Sequence, residues 1–141
     1  MTLADVNVLI YAFRADARFH AHSYSWLTKT ADLGRQFCVS TLALAALVRI
    51  TTAPSLADGR SSAAEAFDFC DSLLTRDNCV PIEPGARHWK IFRDLCKHTP
   101  LNGKRTTDAW YAALAIEHDC EFITYDRDFA RFPGLRWRTP E

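Results

Sequence analysis

Residues 101–129, LNGKRTTDAWYAALAIEHDCEFITYDRDF, decide how the chain is read. A polar segment running from Leu101 through Thr106 and Thr107 gives way to a helical pattern that begins with Asp108. On that helix Asp108, Tyr111, Ala112 and Ala115 share one face, so its inner side is small and packs closely. A short apolar strand follows and ends at Asp126. An aspartate in the first turn of a helix is favoured by the partial positive charge there. In open parallel sheets, ligands bind outside the carboxyl ends of the strands. Asp108 and Asp126 are thus offered to one end of a sheet, and Asp5, after the apolar pair Leu3-Ala4, is the partner we expect to join them.

Working outward, Asp5 is expected to end a brief strand, with a helix starting near Asn7 and capped by its side chain. Residues 21–33 have Tyr24, Leu27 and Ala31 at helical spacing, with Gly34 as a natural stop. Phe37-Cys38-Val39 is a second strand, and Ser40 caps a helix over Thr41 to Thr52 that is apolar nearly all round and expected to be buried. Ser61 or Ser62 opens the next helix, with Ala66, Phe67, Cys70 and Leu73 or Leu74 on one face. Val80-Pro81-Ile82 is a third strand, with Pro81 marking an edge or an end. Pro84 is expected to open a helix lined by Trp89, Phe92, Leu95 and Cys96. Strands alternating with helices over 141 residues predict one domain, residues 1–141, of α/β class, with a mainly parallel sheet and helices on both faces.

Bulk composition excludes several functions. Seventeen basic and seventeen acidic residues give a net charge near zero, so attraction to nucleic acid has to come from local clusters. Five cysteines, an odd number with no C-x-x-C pair, fit a reducing compartment. No signal peptide or membrane-length apolar run is visible, and a soluble cytoplasmic domain is expected. Zinc is not expected, because the histidines are dispersed. The five glycines form no phosphate-binding loop.

A single aspartate at a strand end or helix start is more often a cap or turn residue than a ligand. The combination carries more weight. Two carboxylates about 5 Å apart repel by roughly 3 kcal/mol at an effective dielectric near 20. Three in one cleft call for protonation or a cation. Hard oxygen ligands with room for water suit Mg²⁺ or Mn²⁺, and such a site supports phosphodiester hydrolysis.

Three segments, ADVNVLIYAF (4–13), VSTLALAALVRITT (39–52) and TTDAWYAALAIEHDCEFITYDRDFARFPGLRW (106–137), resemble in order the motifs of PIN domains. The resemblance is nearest to the VapC-type toxins of bacterial toxin–antitoxin pairs, particularly the group common in mycobacteria. It implies a three-layer α/β/α fold and a Mg²⁺-dependent endoribonuclease acting on RNA. It also implies neutralisation by a cognate antitoxin and a homodimer. Asp5, Asp108 and Asp126 match the family's metal-site acids, and Asp128 matches an acid that some members use instead of or beside its neighbour. Where many PIN domains carry a glutamate three residues before an arginine like Arg49, this chain has Ala46, which reduces the ligand set.

Lys97, His98, Lys104 and Arg105 before Asp108, and Arg127, Arg131, Arg136 and Arg138 after Asp126, are expected near the mouth. Of these, Lys104, Arg105 and Arg127 are the candidates for RNA phosphate contact. Asn7 and Thr107 are candidates for orienting ligands or water. Two other functions compete. One is a catalytically weakened PIN-like module that binds RNA or protein. The other is an aspartyl-phosphate protein, against which stands Asn7 in place of the second aspartate that haloacid-dehalogenase-like phosphatases carry.

Overall fold

Among the described residues, five short strands, all parallel, form one sheet in the order β3-β2-β1-β4-β5. The computed structural model describes residues 1–98, 100 and 102–140. Leu101, the first residue of the opening stretch, and Thr99 in the polar link lie outside the described residues. The strands are β1 (Thr2–Ala4), β2 (Phe37–Ser40), β3 (Cys79–Ile82), β4 (Glu121–Ile123) and β5 (Trp137–Arg138). The helices are α1 (Val6–Phe13), α2 (His20–Asp32), α3 (Thr41–Thr51), α4 (Ala63–Leu74), α5 (His88–Lys97) and α6 (Gly103–Glu117). Short 3₁₀ turns span Pro54–Gly59 and Arg127–Arg131.

Parallel neighbours cannot be joined by a tight hairpin, so the connections cross over through helices, except that a 3₁₀ turn alone links β4 to β5. Helices α1 to α4 pack as one group and α5 with α6 as another. The chain steps outward from β1 to β3, then returns across the sheet to β4. With right-handed crossovers, that reversal puts the two helix groups on opposite faces. It also makes the β1–β4 seam a topological switch point, where parallel sheets bind ligands.

The core lies on both sides of that seam. Leu3, Phe37, Phe122, Ile123 and Leu114 are fully buried, and each stabilises the fold by roughly 1.5–3 kcal/mol. Leu3 lies opposite Cys38 on one side and Phe122 on the other, which sets the register of all three strands. α6 packs closely because Ala109, Ala112, Ala113 and Ala115 are all buried, as the small inner face predicts.

Several expectations need correction. α1 starts at Val6 and its cap is Asp5, not Asn7, because the Asp5 side chain accepts from the Val6 amide. α3 is not buried all round: Leu42 is 44% exposed and Ala45 and Arg49 face outward, while Ala43, Leu44, Leu47 and Thr51 are buried and Val48 packs partly buried against the core. Ser62 caps α4 in a full capping box with Glu65, but Phe67 and Leu74 are exposed while Ala66, Cys70 and Leu73 are buried. Together Phe67, Leu74, Leu44, Ala45 and Val48 line an apolar groove of about 390 Å³ between α3 and α4. Pro84 precedes α5 without opening it, and Trp89 points outward while His88 and Leu95 are buried. Pro81 does sit on an edge strand.

The opening stretch also shifts. α6 begins at Gly103, capped by the Asn102 side chain on the Arg105 amide at 2.9 Å, which places Asp108 in the second turn. β4 ends at Ile123, so Asp126 lies beyond the strand and caps the following 3₁₀ turn. The tail adds β5, which pairs Trp137 with Phe122 and was not anticipated. Because Asn102 terminates the helix that carries Asp108, Asn102→Ala should lower stability by about 1 kcal/mol in urea unfolding, with Asn102→Asp restoring most of it.

Candidate active site

Asp5 is the most buried of the acids, at 4% exposure. It sits there because β1 turns directly into α1, and the carboxylate satisfies the helix start. Oδ1 accepts from the Val6 amide at 2.7 Å. Oδ2 accepts from Asn7 Nδ2 at 2.7 Å and from the Thr124 hydroxyl at 2.6 Å. Burial nonetheless raises its pKa to about 6; the Thr124 and Val6 hydrogen bonds oppose the rise, and the charges of Asp108 and Asp126 add to it.

Thr124, fully buried just past β4, joins this carboxylate to the next. Its hydroxyl accepts from Asn7 Nδ2 at 3.1 Å and from the Asp126 amide at 3.0 Å while it donates to Asp5. Asn7 adds an acceptor for the Tyr125 amide at 3.4 Å. The Tyr125 ring stacks on Phe19 at 4.5 Å and its hydroxyl meets Ser23 at 3.0 Å, which fixes the turn after β4 against α2.

Asp126 accepts from the Asp128 amide through Oδ1 at 2.9 Å and from Lys104 Nζ through Oδ2 at 2.7 Å. Burial pushes its pKa up, but the Lys104 bond, the Asp128 amide and the charges of Lys104 and Arg131 outweigh that and hold it below the usual range. Asp108 faces Lys104 Nζ at 3.9 Å through Oδ2. Its pKa lies above the ordinary value, because burial raises it, Lys104 opposes, and the charges of Asp126 and Asp128 raise it further. Tyr111, one helical turn on, is pushed up to about 12 by burial and by the charge of Asp5, with Arg49 acting the other way.

The sequence candidates therefore separate. Asp5, Asp108 and Asp126 lie within one another's electrostatic field. Asp128 is half exposed and paired with Arg131 at 3.0 Å. Thr107 is exposed, and among the described residues its side chain makes no hydrogen bond. Arg105 lies on α6 with its NH1 group 3.4 Å from the Pro100 carbonyl oxygen, and Arg127 is exposed. Arg136 and Arg138 leave the mouth: they bind Asp119 and Glu121 at the start of β4. Lys97 pairs with Asp94 on α5. A cavity of about 520 Å³ opens at the amino-terminal end of the strands, near Thr2, Trp26, Lys29 and Arg35, and holds none of the acids.

Among the described residues, no three His, Cys, Asp or Glu side chains converge as a ready-made metal cage. The donor chemistry still fits a divalent cation. Every candidate ligand is a hard oxygen, the charge of Asp126 raises the pKa of both Asp5 and Asp108, and Asp108 accepts no hydrogen bond from the described residues. Two carboxylates with several waters is the arrangement that Mg²⁺ accepts most readily.

The PIN-domain family profile matches residues 2–135. This chain is a PIN domain. It is 37% identical over 140 residues to a VapC ribonuclease of Mycobacterium bovis, covering 99% of this chain and 95% of that protein. It is 35% identical to ribonuclease VapC25 of Mycobacterium tuberculosis, covering 99% of both. Among solved structures, the PIN domain aligns with one in the complex VapBC2 from Rickettsia felis bound to a promoter DNA fragment. The TM-score there is 0.73, with 19% identity and coverage of 99% and 98%, a likeness of fold. In this chain Thr124 bonds both Asp5 and Asp126 beside the β1–β4 switch point, and Lys104 lies between Asp126 and Asp108 of α6.

The elevated Asp5 pKa has a defined sign. The native state holds the Asp5 proton more tightly than the unfolded chain, whose value is 3.8. Stability from this group is therefore present below about pH 4 and lost as pH rises to about 6, amounting to roughly 3 kcal/mol. With chelator present, urea midpoints of wild type should fall relative to Asp5→Asn across that window. A difference that stays constant with pH would contradict the burial of this charge. Thr124→Val, which removes a donor to the carboxylate, should carry the loss to higher pH and destabilise the protein by about 1–3 kcal/mol at pH 7.

Proposed function

We propose that the chain is an endoribonuclease toxin of the VapC type, acting in the cytoplasm on RNA with Mg²⁺, or Mn²⁺ in its place. The observation that carries the reading is that Thr124 links Asp5 to Asp126, and Lys104 links Asp126 to Asp108, at the switch point of a PIN domain matched over residues 2–135. Asp5 and Asp108 would hold the cation, with Asn7 and Thr124 fixing the Asp5 carboxylate. A divalent cation there supplies Lewis-acid stabilisation of charge at phosphorus and lowers the pKa of water. Asp126, kept ionised by Lys104, completes the acidic cluster, and the Asp128 amide steadies its carboxylate. Water adds to phosphorus as the bond to the leaving ribose oxygen breaks. Arg105 and Arg127 flank the acids and are proposed as contacts to the RNA backbone, with single-stranded segments the accessible substrate.

The structural relatives include DNA-bound VapBC from Rickettsia felis and from Salmonella typhimurium. On that basis the proposed partner is a cognate antitoxin; a homodimer is proposed from the family resemblance alone. The exposed Leu42, Phe67, Leu74 and Trp89 supply apolar area for such contacts. A second reading, a weakened PIN domain that acts by binding alone, is favoured by Ala46 and by the lack of a closed carboxylate cage among the described residues.

Asp5→Ala and Asp108→Ala should each abolish Mg²⁺-dependent cleavage of RNA and growth inhibition, and chelator should stop the wild type. Undiminished cleavage by Asp108→Ala would sink the nuclease reading. Growth inhibition retained without cleavage would favour the binding module.

A further inference from the structure

The three acids are not equivalent, and the difference is Lys104. Its ammonium lies 2.7 Å from Asp126 Oδ2 and 3.9 Å from Asp108 Oδ2. Both oxygens of Asp126 are thereby engaged, one by Lys104 and the other by the Asp128 amide. Asp108, one helical turn after Lys104, accepts no hydrogen bond from the described residues and keeps its lone pairs for another partner. Asp126 already has its cation. On α3, where a further acid would enlarge the ligand set, the residue is Ala46.

We propose that Lys104 is a catalytic residue: its ammonium, seated by Asp126, is the second positive charge of the site and contacts a non-bridging oxygen of the phosphodiester. This inference rests on the nuclease reading and assigns the divalent cation to Asp5 and Asp108. An ammonium has three N–H donors, and Asp126 takes one. Asp108 lies beyond hydrogen-bond distance, so donors remain for phosphate. Lys104 is 66% exposed, against 15% for Asp108 and 25% for Asp126, so its tip reaches substrate while the carboxylates beneath it stay fixed. Lysine binds phosphate as a point charge, which suits an oxygen whose negative charge grows in the transition state. Asp126 is then a positioning residue for Lys104. A bare surface ion pair would account for the same distances without any effect on the reaction.

The test compares wild type, Lys104→Met and Lys104→Arg for kcat and KM on a single-stranded RNA, and for Mn²⁺ affinity by direct titration without RNA. Lys104→Met should lower kcat about 10²-fold, more than it changes KM. Lys104→Arg should recover a substantial part of that loss. Mn²⁺ should bind Lys104→Met about tenfold more tightly, since a like charge beside the ligands is gone. Wild-type kcat in Lys104→Met, an equal loss confined to KM, or unaltered Mn²⁺ affinity would each overturn the proposal. Activity in Asp108→Ala overturns the underlying nuclease reading. An inactive Asp108→Ala beside a fully active Lys104→Met overturns the Lys104 role alone.

Discussion

A carboxylate buried at the seam between two strands is the constraint to which this architecture answers. An ionised group taken out of water costs several kcal/mol unless its neighbours replace the lost hydration. Asp5 receives three donors, and each comes from an element that the fold must deliver: the start of α1, Asn7 within it, and Thr124 beyond β4. β1 is only three residues long because Asp5 leaves the strand to start the helix. The Asp5 amide still bonds the Ile123 carbonyl at 2.9 Å, so the seam runs right up to the acid.

From that constraint follows a division of labour among like residues. Asp5 is buried and its pKa raised; Asp126 is shallower and kept charged by an ammonium; Asp108 lies between, burdened by its neighbours and served by no hydrogen-bond donor among the described residues. Environment rather than residue type separates them. Small residues on the inner face of α6 let that helix approach the sheet, which brings Asp108 to the two seam acids.

Much of this was legible before the fold was seen. Ser40 and Ser62 are caps with clear chemistry, Pro81 marks an edge, and the parallel α/β class follows from alternation of elements. The candidate acids stood out by position and by their order in the chain, and the fold joins Asp5 and Asp126 through one hydroxyl. What escaped was the choice between equally good local signals. Thr106-Thr107 imitates a helix start, yet Asn102 wins because its side chain reaches the Arg105 amide. Asn7 is a good cap by type, but Asp5 stands one residue before α1 and takes the role. Thr124 had a usable signal, since a hydroxyl two residues before an aspartate commonly bonds that residue's amide. Lys104 likewise stands four residues before Asp108, the spacing of a helical ion pair, but its tighter partner Asp126 is distant in sequence. β5 has two residues, too few for any periodicity to show.

The bond between Thr124 and Asp5 closes a loop of 119 residues. Joining ends that far apart costs about 4 kcal/mol in chain entropy beyond a constant term, and parallel topology offers no local hairpin to shorten it. No stretch of this chain that stops short of Thr124 contains the junction. The acids are therefore assembled by the same event that completes the sheet, so nascent or partly unfolded chains lack the assembled site. The proposed chemistry and folding here share one threshold, so the fold itself would act as the first safeguard on such an activity.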